Sequence, residues 1–93
     1  MNEITFDDFY QIYQKESLSV LDVREVEEFE VLHLEGARNF PLSQLTDTFE
    51  QLDKDNLYYV ICKSGIRSAR ACQFLAEQGY EVINVQGGMD ALE

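Results

Sequence analysis

The loop CKSGIRS, residues 62–68, brings a thiol, two cations and a glycine together within a few positions. An apolar run, Leu57–Ile61, precedes Cys62, and a helical pattern begins at Arg67. A helix start offers unpaired N–H groups and a partial positive charge. Gly65 permits the curled backbone that turns such N–H groups inward. A thiol placed there should have a lowered pKa, so its thiolate can act as a nucleophile beside a bound anion.

Cys62 is therefore the candidate catalytic residue. The rest of the loop is the candidate substrate- and anion-binding site: Lys63, Ser64, Gly65, Ile66, Arg67 and Ser68. The two cations add positive charge, and the two serines can donate hydrogen bonds. The competing interpretation is that a cysteine at a strand end is only a small buried apolar residue. Gly65, Arg67 and the helix start favour the chemical interpretation.

Composition narrows the classes of function. The chain has 93 residues, 45% of them hydrophobic, which predicts one domain over residues 1–93. Eighteen acidic residues against seven basic ones give a net charge of −11. So acidic a protein should bind neither nucleic acid nor anionic membranes. The two cysteines lie ten residues apart with no metal-ligand spacing around them, so we expect no disulfide, no metal and no cofactor.

The sequence also bears on location. The start, MNEITFDDFY, has neither a basic region nor an apolar run, so a signal peptide is not expected. No stretch approaches the length of a membrane span. With two thiols and no disulfide framework, the expected compartment is the reducing cytoplasm.

Hydrophobic periodicity predicts alternating strands and helices. Extended segments are predicted at 18–23, 37–42, 57–61 and 81–85, and helical ones at 6–16, 25–32, 43–52, 67–78 and 89–92. Such alternation is typical of an α/β fold with a mainly parallel central sheet and helices on both faces. Ligands in such sheets bind outside the carboxyl ends of the strands, which is where Cys62 stands.

Local signals refine the helices. Thr5 and Ser43 are expected to cap the helices that follow them, and Gly79 to end the helix after Cys62. In the acidic helix at 25–32, the apolar residues are expected to face inward: Val26, Phe29 and Leu32.

Four stretches together resemble the rhodanese-like (sulfurtransferase) domains in their single-domain form. They are, in chain order, VLDVREVEEFE (20–30), HLEGARNFPL (33–42), CKSGIRSA (62–69) and GYEVINVQGGMDAL (79–92). The resemblance spans nearly the whole chain. It implies a small three-layer rhodanese-like domain in which CKSGIRSA is the persulfide loop.

The resemblance also implies a reaction. The Cys62 thiolate would take the outer sulfur of thiosulfate or a similar anion, and a thiol, cyanide or a protein cysteine would accept it. Lys63 and Arg67 would hold the donor's anionic end. Asp22 and Arg24 are expected to support the structure, Arg24 by pairing with a carboxylate and Asp22 by fixing a neighbouring loop. His33 falls in a segment that the resemblance makes a structural turn.

Other functions stay open at this point. The domain could be a non-catalytic module that binds a partner, or a persulfide carrier loaded by another enzyme. Phosphatases and arsenate reductases of related fold have five residues between cysteine and arginine, whereas four separate Cys62 from Arg67. Lys63 stands where many members have arginine, which leaves donor preference open. The sequence does not determine the physiological donor and acceptor, or the oligomeric state.

Overall fold

The computed structural model describes residues 2–92. Over that range the chain forms five strands in one sheet: β1 (Glu3–Thr5), β2 (Ser19–Asp22), β3 (Arg38–Asn39), β4 (Leu57–Ile61) and β5 (Glu81–Gln86). Their spatial order is β1-β5-β4-β2-β3, and every pairing between them is parallel. The predicted α/β class with a parallel central sheet is confirmed.

The helices connect these strands. They are α1 (Phe6–Lys15), α2 (Val26–Val31), α3 (Leu45–Thr48) and α4 (Ile66–Glu77). Short 3-10 turns flank α3 at Leu42–Gln44 and Phe49–Gln51, and another covers Gly88–Leu92. Among these helices none is long and apolar enough to cross a membrane, as judged over residues 2–92.

Two apolar clusters lie on opposite faces of the sheet. Alternate residues of β4 divide between them, because successive side chains of a strand point to opposite faces. Tyr58 and Val60 pack with α3 and α4, whereas Tyr59 and Ile61 pack with α1 and the final turn. The central strand is thus buried on both sides, which explains why its sequence is a continuous apolar run.

The local signals for α1 and α4 predicted their ends well. The Thr5 hydroxyl accepts a hydrogen bond from the Asp8 backbone N–H at 3.2 Å and so caps α1. Gly79 follows α4 with φ +94°, the left-handed conformation that a terminating glycine provides. One strand was missed: β1 is only three residues long and runs directly into the Thr5 cap.

Two expectations about the intervening helices were wrong. Val26 and Leu32 do not face the core; they are 42% and 53% exposed, because α2 lies on the surface. Ser43 caps no helix, since it lies inside a 3-10 turn and its hydroxyl donates to Glu25 Oε1 at 2.7 Å. The predicted helix over 43–52 is in fact α3 between two 3-10 turns.

Candidate active site

Cys62 lies at the junction of the central strand and its helix. It directly follows β4, and α4 begins four residues later at Ile66. Gly65 occupies the N-cap position of α4 with φ +104°, a backbone conformation that residues with a Cβ rarely adopt. This turn folds the loop back over the cysteine, so the start of α4 is directed at the sulfur.

Several donors converge on Cys62 Sγ. The Gly65 N–H donates to it at 3.1 Å, and Ser68 Oγ lies 3.3 Å from it. Burial of Cys62 raises the pKa of its thiol, but hydrogen bonds from the Ser68 hydroxyl and from the backbone N–H groups of Ser68, Gly65 and Ser64 outweigh it. The net pKa lies below its usual value. The thiolate is therefore the form that this loop stabilises.

The final 3-10 turn supports the loop from behind. Met89 N–H donates to Cys62 O at 2.8 Å, and Asp90 N–H donates to Lys63 O at 2.9 Å. These two hydrogen bonds fix the carbonyl oxygens of Cys62 and Lys63 against the turn. A carbonyl oxygen directed at Sγ would instead repel a thiolate. The turn can approach so closely only because residue 88 is glycine: a Cβ there would lie 2.6 Å from Lys63 O and nearer still to Cys62 O.

Asn84 of β5 ties the loop to the edge of the sheet. Its Nδ2 donates to Gly65 O and to Glu3 Oε2, each at 3.3 Å. Asn84 is buried, and its Oδ1 has no hydrogen-bond partner within the described chain. The amide thus links β1, β5 and the loop through its donor side.

Both cations of the loop contact carboxylates. Arg67 Nη1 and Nη2 donate to Glu28 Oε2 and Oε1 at 2.7 and 2.9 Å, a bidentate pair. Lys63 Nζ lies 2.6 Å from Asp90 Oδ1. The hydrogen bonds that Arg67 donates to Glu28 raise the pKa of Arg67 against the effect of burial, and the nearby Cys62 charge adds to the rise. The positive charge predicted for this loop is therefore largely balanced by acidic side chains.

Asp22 and Arg24 stand beside the loop at the carboxyl end of β2. Asp22 pairs in register with Ile61, the residue before Cys62. Both side chains are buried, and Arg24 Nη2 donates to Asp22 Oδ2 at 2.8 Å and to Leu32 O at 2.7 Å. Asn39 Nδ2 donates to the carbonyl oxygens of both residues. These contacts join the ends of β2, β3 and α2. Among the hydrogen bonds of residues 2–92, none links the side chain of Asp22 or Arg24 to Cys62 Sγ.

His33 and Cys72, the other two candidates for acid, base or redox chemistry, take no part in the hydrogen bonds to Cys62 Sγ described above. His33 Nδ1 donates to Phe29 O at 2.7 Å, and its ring stacks on that of Phe29 with centroids 3.8 Å apart. Cys72 is buried in α4, and burial raises its pKa to about 12. Both cysteines are free thiols. No cluster of three potential metal ligands occurs in residues 2–92.

Sequence reasoning had missed four residues of this site. Glu28, Asn84, Gly88 and Asp90 are far from Cys62 along the chain, so no local pattern connects them with it. Two signals were available: the family-like stretches 20–30 and 79–92 contain all four residues, and the adjacent Gly87 and Gly88 mark a place where the backbone approaches another closely.

The comparison with protein families agrees with this geometry. The model of the rhodanese-like domain matches residues 5–93. The chain belongs to the rhodanese-like domain family. A Bacillus subtilis protein, YtwF, provisionally named a sulfurtransferase, is 41% identical over 83 residues, which are 89% of this chain and 81% of that protein. The thiosulfate sulfurtransferase GlpE of Shewanella oneidensis is 32% identical over 89 residues, covering 95% of this chain and 88% of GlpE.

The similarity extends to the three-dimensional structure of a solved protein. The rhodanese-like domain protein from Staphylococcus aureus superposes with a TM-score of 0.94 at 30% identity, covering all of this chain and 92% of the other. The rhodanese-like fold of this domain is thus established together with its family.

Proposed function

We propose that this domain is a sulfurtransferase that carries sulfane sulfur as a persulfide on Cys62. The observation that carries the proposal is the convergence of the Gly65 N–H and the Ser68 hydroxyl on Cys62 Sγ at the start of α4. This arrangement stabilises the thiolate relative to the thiol, and it can stabilise the negative charge of a persulfide in the same way. Relatives named as sulfurtransferases, including one named for thiosulfate, support the same reaction class.

The first half-reaction loads the sulfur. The Cys62 thiolate attacks the outer sulfur of thiosulfate and forms a new S–S bond. The S–S bond of thiosulfate breaks, and its electron pair leaves with sulfite. Charge balances, because a thiolate and a dianion give a persulfide anion and the sulfite dianion. The loop from Lys63 to Ser68 surrounds the donor during this step.

The second half-reaction unloads it. The outer sulfur of the persulfide lies about 2 Å beyond Sγ, one S–S bond length. Cyanide, a small thiol or a protein cysteine attacks this outer atom and releases the Cys62 thiolate. Because Cys62 itself is only 1% exposed, the acceptor needs to reach the outer sulfur and not Sγ. The reaction is a ping-pong cycle with one covalent intermediate.

The other candidate residues take supporting roles in this proposal. Asp22 and Arg24 hold the ends of the strands beside the loop, and no metal or cofactor takes part. We assign the protein to the cytoplasm, where a reducing environment keeps Cys62 and Cys72 as thiols.

An intact-mass experiment tests the proposal. The reduced protein is incubated with thiosulfate, freed of excess reagent and weighed, alongside Cys62→Ser and Cys72→Ser variants. We expect a gain of one sulfur atom in the parent and in Cys72→Ser, none in Cys62→Ser, and loss of that atom on adding cyanide. If the parent gains no sulfur although its Cys62 can be alkylated, thiosulfate is not the donor. If Cys62 is also unreactive, persulfide chemistry is refuted in favour of a binding module.

A further inference from the structure

The bidentate pair between Glu28 and Arg67 has a bearing on which sulfur donor this site prefers. Arg67 is the loop residue best suited to hold the oxygens of an anionic donor, because a guanidinium binds planar or tetrahedral oxyanions through two parallel N–H groups. In this structure those two groups, on Nη1 and Nη2, point at the carboxylate of Glu28. A protein carboxylate thus stands where a donor's oxygens would be expected to bind.

Glu28 is fixed in this place by its own helix. It is the third residue of α2, and its Oε2 also accepts the Glu25 backbone N–H at 3.0 Å. This reciprocal arrangement at the start of α2 restricts the Glu28 side chain in addition to its contact with Arg67. The hydrogen bonds from Arg67 lower the pKa of Glu28 to about 2, so it remains charged at any physiological pH. Arg67 therefore faces a preordered carboxylate that is ionised at physiological pH.

The balance of charge around the loop points the same way. The second loop cation, Lys63, also lies against a carboxylate, that of Asp90. A free dianion approaching Cys62 therefore meets cations that are already paired with carboxylates. The attraction that steers small anions into a cationic cleft is consequently weakened here.

From these contacts we infer that Glu28 is a positioning residue that sets donor specificity through Arg67. By occupying Nη1 and Nη2 of Arg67, it lowers the affinity of the Cys62 loop for small dianions such as thiosulfate, and it favours donors that bring less negative charge to the loop. The inference rests on the proposed sulfur transfer and adds to it the class of donor that the site selects.

Loading kinetics provide the first test. The rate of sulfur uptake by Cys62 is measured against thiosulfate concentration for the parent, Glu28→Gln and Glu28→Lys. Glutamine keeps an oxygen for the Glu25 N–H but removes the charge. We expect the half-saturating concentration to fall about fivefold in Glu28→Gln, within the range measured for partly exposed ion pairs, and further in Glu28→Lys. The limiting rate should change less than twofold, because the hydrogen bonds to Sγ remain.

Glu27→Gln is the matched control. It removes the same charge from the same turn of α2, but Glu27 is exposed and Arg67 makes its ion pair with Glu28. We expect its half-saturating concentration to match that of the parent. If the half-saturating concentration fell equally in Glu27→Gln and Glu28→Gln, the effect would be one of net charge, and the role of the Glu28–Arg67 pair would be refuted. An unchanged or higher half-saturating concentration in Glu28→Gln would also refute that role.

Alkylation tests the same idea without sulfur transfer. Iodoacetate and iodoacetamide both attach a carbon to the Cys62 thiolate and release iodide, but only iodoacetate is an anion. Their rate ratio cancels any change in the amount of thiolate. We expect Glu28→Gln to raise the iodoacetate-to-iodoacetamide ratio about fivefold, and Glu27→Gln to leave it unchanged. A constant ratio in Glu28→Gln would refute the inference even if sulfur loads normally, whereas a raised ratio without loading would refute only the proposed function.

Discussion

The contact between the final turn and the Cys62 loop predicts an unusually sensitive glycine. In Gly88→Ala the new Cβ would lie 2.6 Å from Lys63 O and closer still to Cys62 O, distances at which the backbone has to move. The movement would separate Met89 N–H from Cys62 O and Asp90 N–H from Lys63 O. The same substitution therefore disturbs both the packing of the turn and the orientation of the loop.

The magnitude follows from two terms. Alanine at φ +54° costs about 1 kcal/mol of backbone strain. Overpacking adds about 1–3 kcal/mol. Gly36→Ala is the matched control, because Gly36 also has a positive φ, +85°, but a Cβ there meets nothing within 4 Å. Only the strain term applies to it, so Gly88→Ala should lose at least about 1 kcal/mol more, or roughly 5 °C more in Tm for a domain of this size.

Two measurements check this prediction. Thermal unfolding of the parent and both variants gives the difference in stability. The rate of iodoacetamide reaction against pH then reports the Cys62 thiolate, and Gly88→Ala should need a higher pH to react, whereas Gly36→Ala should follow the parent. Equal stability and equal pH profiles for the two variants would show that the close approach of Gly88 does not hold the loop.

Three further predictions concern other contacts of the site. The Ser68 hydroxyl accepts from the Cys62 thiol and donates to its thiolate, which lowers the pKa of Cys62. Ser68→Ala removes this contact, worth about 1 kcal/mol, so iodoacetamide should react about fivefold more slowly at neutral pH, while Cys72→Ala should leave that rate unchanged. Asp22→Asn leaves the buried charge of Arg24 uncompensated, and urea unfolding should show a loss of about 3–5 kcal/mol, against less than about 0.5 kcal/mol for exposed Asp7→Asn. Because the folded pKa of Glu28 is depressed from 4.5 to about 2, the ion pair stabilises the fold fully above pH 4.5 and loses this contribution as the pH falls through 2. Glu28→Gln should therefore be less stable than the parent by up to about 1 kcal/mol at pH 7, and the difference should vanish below pH 2.

The central unit of the fold could be predicted from sequence because its signals are local and strong. Leu57–Ile61 is a β-rich apolar run, and α4 combines a helical period with a terminating glycine, so strand, loop and helix followed from neighbouring residues. The same holds for the role of Gly65, whose positive φ was expected from its place before a helix.

Weaker or non-local features could not be predicted in the same way. β1 has three residues, too few for an alternating pattern, and it is a strand only because β5 pairs with it. The apolar residues of α2 suggested an inward face, but the helix lies on the surface and directs Glu28 at Arg67 and at the Glu25 backbone N–H. Arg67 and Glu28 are 39 residues apart, and sequence spacing alone does not say which of many carboxylates reaches a given cation.

The all-parallel sheet has a consequence for how fast this protein can fold. Parallel strands cannot be joined by a tight hairpin, so each strand pairing has to close a long loop, at a cost in chain entropy, before its stabilising contacts form. The pairing of β1 with β5 brings Glu3 to Asn84, 81 residues away. Pairings of such sequence separation are slow to form, and β1 should therefore dock late. Because Asn84 bonds both Glu3 and the Gly65 carbonyl, the docking of β1 and the final ordering of the Cys62 loop should be observed as one kinetic phase.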